Sequence, residues 1–336
     1  MYILGMESSC DETSAAVVEM SDGARVIRSN IIASQIETHR LYGGVVPEIA
    51  SRAHIEAISR ITYEALDAAG IGVGDLGAIA VTSHPGLIGA LLVGVNFAKS
   101  MAYSRGLPLV AVNHIHGHVA AAYLSHADLK PPFLALVVSG GHTSFYQVDD
   151  YTDFREIGGT RDDAAGEAFD KIGRVIGLPY PGGAALDKLA YEGDPHAVKL
   201  PSPALTGDML DFSFSGIKTA TLNYLNGMMQ RGEEINRANV AASYTHGIVG
   251  AIVKKTELAL KQTKTKTLVL AGGVAANSHL RAALEQLCAD CGVRLAMPDR
   301  ALCGDNGAMI AAAGYFEYLK GNFAGTDLNA SACDDL

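Results

Sequence analysis

The chain has no apolar run long enough to cross a bilayer. The richest stretch, Ala78 to Val95, is broken by Ser83, His84 and Pro85, whereas a spanning helix needs about 20 consecutive apolar residues. A basic, signal-like start is also missing, because Tyr2 to Met6 runs straight into Glu7. A cytoplasmic location with no membrane partner is the expectation. Cysteines are few, scattered and odd in number, five in all, which excludes a disulfide framework and leaves reduced thiols. Cys288 and Cys291 make a single C-x-x-C, but no second ligand pair follows at zinc spacing, so they read as a pair on a helix end. Positive charge is short as well: 26 Lys and Arg face 36 Asp and Glu, a net charge of −10. Phosphate contacts require Lys and Arg, so any nucleic-acid partner must use a local patch or another subunit. Lys254, Lys255, Lys261, Lys264 and Lys266 form the one dense basic stretch, either such a patch or a solvated helix face with its exit loop.

What remains is an apolar, weakly charged chain of 336 residues, 49% hydrophobic and 18% charged, which suits layered strands and helices around two cores. YILGMESSCDETSAAVVE at the N-terminus and PFLALVVSGGHTSFYQVDD from Pro132 align without gaps, Ser9 on Ser139, Thr13 on Thr143 and Ser14 on Ser144. Each reads as strand, polar turn, strand, with backbone N–H groups and hydroxyls able to face a phosphate. After the first copy, strands alternate with helices. A helix opens at Pro47, with Ile49, Ala53, Ala57, Ile61 and Ala65 on one stripe, and closes at Gly70. Strands follow at Ala78–Thr82 and Leu109–Val112, implying crossover units in a mostly parallel sheet. Lys130, Pro131 and Pro132 mark the expected boundary, giving subdomains 1–130 and 131–301, with a C-terminal helix in 302–324 returning to the first. In the second half, helices are expected near Asp162–Ile176 and Asn239–Lys261, and a strand at Thr267–Leu270 delivers Gly272 and Gly273 to a helix start, a possible nucleotide cradle.

His114 and His118 are four residues apart in a segment that reads as helix, at the C-terminal end of a strand, so both imidazoles can share one ion. No Glu stands between them as in H-E-x-x-H peptidases. Asp305, in the CGDNG turn before a helical run, is the preferred third ligand, against the alternative that it only caps that helix.

NHIHGH, VVSGGHTS, FDKIGRVIGLPYPGG, FSFSGIKTA, AGGVAANSHL and GDNGAMIA together resemble the tRNA threonylcarbamoyladenosine transferase family, TsaD or Gcp, over almost the whole chain. The resemblance implies an α/β actin-like ATPase (ASKHA) fold, two duplicated RNase H-like subdomains with a nucleotide and metal cleft between them. It implies an acyltransferase that moves threonylcarbamoyl from its adenylate to N6 of the tRNA adenosine 3′ of the anticodon, in tRNAs reading ANN codons, with release of AMP. It carries over His114, His118 and Asp305 as metal ligands, iron(II) being favoured and zinc(II) possible. Val137, Val138, Ser139, Gly140, Gly141, Asp170, Gly183 and Asn277 would bind the adenine nucleotide, ATP, ADP or threonylcarbamoyl-AMP. Asp187, four residues beyond Gly183, joins the ribose contacts in this reading, and Asp11, facing the same cleft by the repeat, is the candidate catalytic residue. Members from archaea and eukaryotes carry Tyr where Val137 stands and Asn where His142 stands, so the chain resembles the bacterial branch. That branch implies tRNA, a catalytically incomplete paralogous subunit (TsaB-like) and a small P-loop ATPase (TsaE-like) as partners. The rival readings are an actin-like kinase, which would not need the His pair, a chaperone-like ATPase, which would need a peptide-binding domain, and a metallopeptidase, which would lack a base.

Overall fold

The first apolar stretch forms β1 (Tyr2–Glu7), turns over Ser8–Asp11 and returns antiparallel as β2 (Glu12–Met20). This computed structural model describes residues 1–21, 23–201 and 209–333. β3 (Arg25–Ser34) pairs antiparallel with β2. A short α1 (Ile36–Arg40) leads to α2 (Pro47–Ala69), which has Pro at its start and a left-handed Gly70 at its end. Next come β4 (Leu76–His84), α3 (Ile88–Arg105), β5 (Leu109–Asn113) and α4 (His114–Ser125). The sheet order is β3-β2-β1-β4-β5, with β4 parallel to both β1 and β5. The sheet is therefore mixed rather than mostly parallel, because a four-residue turn can only join antiparallel neighbours.

One face of this sheet packs on α2 and α3 around Leu4, Met6, Val17, Ile58, Ile61, Ile79, Val81 and Val95, each worth about 1.5–3 kcal/mol when fully buried. The buried row of α2 runs through Ala50, His54, Ile58, Ile61, Thr62 and Ala65, rotated from the stripe of Ile49, Ala53 and Ala57. The reason is His54, a core residue in spite of its polarity: its Nδ1 meets Thr13 Oγ1 at 2.7 Å and its Nε2 meets the Cys10 carbonyl at 2.9 Å. With both nitrogens partnered, burial costs little.

A second sheet repeats the first. β6 (Phe133–Val138) and β7 (Thr143–Asp150) form the opening hairpin, followed by β8 (Asp153–Gly159), α5 (Ala165–Val175), α6 (Gly182–Leu189), α7 (Ser215–Gln230) and α8 (Arg237–Thr263). β9 (Thr267–Ala271), a 3-10 turn at Gly273–Ala276, α9 (Ser278–Cys291) and β10 (Arg294–Ala296) complete it. Read from its other edge, the order β8-β7-β6-β9-β10 reproduces that of the first sheet. The register agrees residue for residue at the offset that sets Ser9 on Ser139: Glu7 pairs with Ser14 and Val137 with Ser144, Ile3 with Val18 and Phe133 with Val148.

α10 (Gly307–Lys320) packs on β1, β2, β4 and α4. The chain divides into two compact units, Met1–Pro131 with Asp150–Asp153 and Met297–Leu336, and Pro132–Asp149 with Phe154–Ala296. α10 approaches β1 closely because two glycines meet. A Cβ on Gly5 would lie 2.1 Å from the Gly307 carbonyl, and one on Gly307 would lie 2.7 Å from the Gly5 carbonyl. That contact fixes where the turn before α10 sits. Among the described residues, no helix is long and apolar enough to cross a membrane.

Candidate metal centre and phosphate turn

The first unit gathers its polar groups where β1, β4 and β5 end. His114 opens α4 at the end of β5, and Asn113 caps the helix by accepting from the N–H groups of Ile115 and His116. Both His114 and His118 are buried, with ring centroids 4.6 Å apart. Asp305 Oδ1 lies 3.3 Å from His118 Nε2 and 3.6 Å from His114 Nε2. Asp305 is not the cap of α10. Asn306 takes that role, its Oδ1 accepting from Met309 N at 3.0 Å, which leaves the neighbouring carboxylate to face the imidazoles.

The three side chains fit a divalent ion on two observations. Their donor atoms all lie within 4.8 Å of one another, and ligands each about 2.1 Å from an ion stand roughly 3.0–3.4 Å apart. Neither ring nitrogen of the buried His118 meets a hydrogen-bond partner among the described residues, a costly condition that an ion would relieve. Two imidazoles and a carboxylate suit iron(II) or zinc(II), and leave positions open for a substrate.

Around this trio stand three further carboxylates, Glu7, Asp11 and Glu12, of which the sequence singled out Asp11 but not Glu7. Glu7, fully buried, holds His114 Nδ1 at 2.9 Å and Thr82 Oγ1 at 2.6 Å on one oxygen and accepts the Ser9 N–H on the other. Burial pushes Glu7 upward, but the charge and hydrogen bond of His114, with Thr82, hold it below its ordinary value on balance. A charged residue inside the apolar strand YILGME was the available signal. Asp11 is buried in the β1–β2 turn, and its backbone carbonyl accepts from Gln35 N at 3.0 Å. Glu12 is pushed up to about 9, first by burial and then by the charges of Asp305 and Asp11.

In the second unit the same turn is Ser139–His142. Val137 and Val138 are buried in β6, while Ser139 closes the turn by donating its N–H to the His142 carbonyl at 2.7 Å and accepting from His142 N on Oγ at 3.1 Å. Gly140 is exposed, and a Cβ at either Gly140 or Gly141 would meet nothing within 4 Å. The turn therefore offers bare backbone to its surroundings. Gly272, at φ 92°, passes so close to β6 that a Cβ would lie 2.4 Å from the Val138 carbonyl. Here the glycine serves strand packing, and the following Gly273 remains unobstructed.

The other sequence-selected residues fall into two pairs. Asp170, on α5, accepts the Gly183 N–H at 2.8 Å, so it tethers the start of α6. Asp187 accepts from Ser278 N and Oγ at 3.1 and 2.8 Å on one oxygen, and its other oxygen sits 2.8 Å from His279 Nδ1. Its carboxylate is thus committed to the start of α9. Asn277 is the cap of α9, its Oδ1 accepting from Leu280 N at 2.8 Å. Of the basic stretch, Lys255 is buried and donates to the Met209 carbonyl, and Lys261 pairs with Glu257. Five free lysines are not what this face presents.

The family model of tRNA N6-adenosine threonylcarbamoyltransferase matches residues 26–312. A relative of that name from Clostridium botulinum (strain 657 / Type Ba4) is 55% identical over 98% of this chain and 96% of its own. Another from Clostridium perfringens (strain SM101 / Type A) is 53% identical over the same shares. Among solved structures, full-length HypF is similar with a TM-score of 0.62 at 16% identity, over 99% of this chain and 47% of that one. Component A of the Acidaminococcus fermentans (R)-2-hydroxyglutaryl-CoA dehydratase reaches 0.55 at 16%, over 96% and 99%. These likenesses speak for the fold, the duplicated actin-like α/β architecture. The matched residues and the relatives' identity together place the chain in the TsaD family, the tRNA N6-adenosine threonylcarbamoyltransferases.

Proposed function

We propose that the protein transfers the threonylcarbamoyl group of threonylcarbamoyl-AMP to N6 of the tRNA adenosine 3′ of the anticodon, in tRNAs that read ANN codons. The amine attacks the carbamoyl carbonyl carbon, the bond from that carbon to the phosphate oxygen breaks, and AMP departs with the electron pair. One proton leaves the amine, and Asp11 is its proposed acceptor and the group that orients N6. The observation that carries this reading is the clustered trio of His114, His118 and Asp305, in which the buried His118 makes no hydrogen bond through either ring nitrogen among the described residues.

A divalent ion, iron(II) by preference and zinc(II) as the alternative, would be held by that trio and would supply positive charge and Lewis acidity to the transfer. The Ser139–Gly141 backbone is suited to a phosphate through N–H groups that no Cβ shields, which supports Val137–Gly141 as the nucleotide turn. Asp170, Gly183 and Asn277 are assigned to the same nucleotide, with Asp187 acting by holding α6 against α9. The assembly is proposed to include tRNA, a catalytically incomplete paralogous subunit and a small P-loop ATPase, with a separate enzyme forming the adenylate.

The test is incubation with unmodified tRNA, threonine, bicarbonate, ATP and the partner proteins, followed by nucleoside analysis. Modified adenosine is expected with the wild type and not with His114→Ala or His118→Ala. Undiminished product from both variants would overturn the metal-assisted reading, and ATP-dependent phosphorylation of a small hydroxyl compound would favour a kinase.

A further inference from the structure

We infer that Glu7 is a positioning residue that sets the tautomer of His114, forcing its proton onto Nδ1 and so keeping the Nε2 lone pair for a metal ion. The inference rests on the reading of His114 as a ligand and adds what prepares it.

Glu7 is wholly buried in the last position of β1, and three groups converge on its carboxylate: the backbone N–H of Ser9, the hydroxyl of Thr82 and Nδ1 of His114. The Ser9 N–H can only donate. A carboxylate can only accept, so the Thr82 hydroxyl must donate too, and an unprotonated Nδ1 at 2.9 Å would set a lone pair against a negative oxygen. Nδ1 therefore carries hydrogen.

One neighbour argues the other way. Ser9 Oγ also stands 3.1 Å from Nδ1, and a hydroxyl donating there would require the opposite tautomer. The carboxylate prevails because it is nearer and charged, and charge-assisted hydrogen bonds are roughly twice as strong as neutral ones. His118 has no counterpart: among the described residues neither of its nitrogens makes a hydrogen bond, and only Nε2 faces a charged group, the Asp305 carboxylate at 3.3 Å. The two imidazoles are thus held differently, His114 by the protein and His118 by whatever binds between them.

Glu7→Gln is close to isosteric and inverts the logic. The Ser9 N–H requires the amide oxygen on its side, which turns the NH2 toward His114 Nδ1, while Thr82 can become an acceptor. The ring must then accept at Nδ1 and carry its proton on Nε2, where the ion should bind.

The experiment is a long-range 1H–15N correlation spectrum of the histidine rings in metal-free full-length protein, with the His114 signal identified from the His114→Gln variant. Wild type, Ser9→Ala and Thr82→Val should all show His114 protonated on Nδ1, and Glu7→Gln should show it on Nε2. Zinc(II) affinity, read by competition with a chromophoric chelator, should fall about 10–100-fold in Glu7→Gln. A proton on Nε2 in the wild type, an unchanged ring in a folded Glu7→Gln, or a flipped ring with unchanged affinity would each overturn the inference. Should Glu7→Gln not fold, the wild-type and Ser9→Ala spectra decide it alone. If the wild type binds neither zinc(II) nor iron(II), the metal reading fails while the tautomer result stands, so the two failures are distinguishable.

Discussion

The two hairpin turns share one backbone and have opposite chemistry. At the common register, Glu7 stands where the second unit has Val137, Cys10 where it has Gly140, Asp11 where it has Gly141, and Glu12 where it has His142. The first turn places carboxylates around an imidazole pair, an environment for a cation. The second strips side chains away and presents backbone, an environment for an anion. What stays constant is the scaffold of small hydroxyl residues. Thr13 braces His54, and Thr143 accepts the Ala165 N–H at 2.9 Å at the start of α5. Ser14 accepts the Gly307 N–H at 2.8 Å at the start of α10. Duplication thus kept hydroxyl residues that tie each hairpin to a helix and changed those at the turn itself.

That contrast can be broken from either side. The largest effect is expected from His118→Ala, which removes a proposed ligand rather than its support. Metal affinity should fall by more than the roughly 10–100-fold that loss of an outer partner costs, and tRNA modification should fall with it, measured by chelator competition and nucleoside analysis. If the variant retains wild-type metal content, the cation assignment of the first turn is wrong. A smaller effect is expected from Gly141→Asp, which writes the Asp11 chemistry into the second turn. A Cβ there meets nothing within 4 Å, so thermal stability should hardly move. A carboxylate facing a phosphate should nevertheless weaken ADP binding about 10-fold or more, a penalty of about 1.4 kcal/mol or greater. Unchanged ADP affinity by calorimetry would remove that turn from the nucleotide site.

Much of the contrast is legible in the sequence alone. The hydroxyl positions of the repeat showed because strands alternate faces with a period of two, so a gapless alignment keeps each side chain on its own face. The His pair showed because residues four apart share a helix face. Whether Asp305 was ligand or cap could not be read, since the answer depended on Asn306 taking the cap. The partners of Asp187, Ser278 and His279, are not legible in the sequence, because they lie far along the chain and only α6 and α9 together bring them near. The stripe on α2 was shifted because no hydropathy pattern counts a histidine as core. His54 is core only through the Thr13 and Cys10 bonds. Glu7 was visible as an anomaly, a charge in an apolar strand, and lacked meaning until Thr82 and His114 were seen around it.

The smallest effect on function is expected from Glu12→Gln, which is read as stability and separates the acidic turn from its glycine counterpart by pH. Glu12 is pushed from 4.5 up to about 9 by burial and by the charges of Asp305 and Asp11. A carboxyl group raised in this way is protonated in the folded chain and ionised in the unfolded one between those two values. Its burial then costs nothing below pH 4.5 and progressively more as pH rises toward 9, by at most about 1.4 kcal/mol per pH unit. Glu12→Gln removes the cost without changing the shape. The metal-free variant should melt with the wild type in acid and above it in alkali, the difference widening as pH rises. Added zinc(II) should close the gap by stabilising the wild type more, because a nearby cation favours the ionised carboxylate. His142→Gln, at the same register in the second unit, should leave the slope of stability against pH above neutrality unaltered. Parallel melting curves for wild type and Glu12→Gln across this range would show that the first turn is not crowded with negative charge, and the cation assignment would lose its electrostatic support.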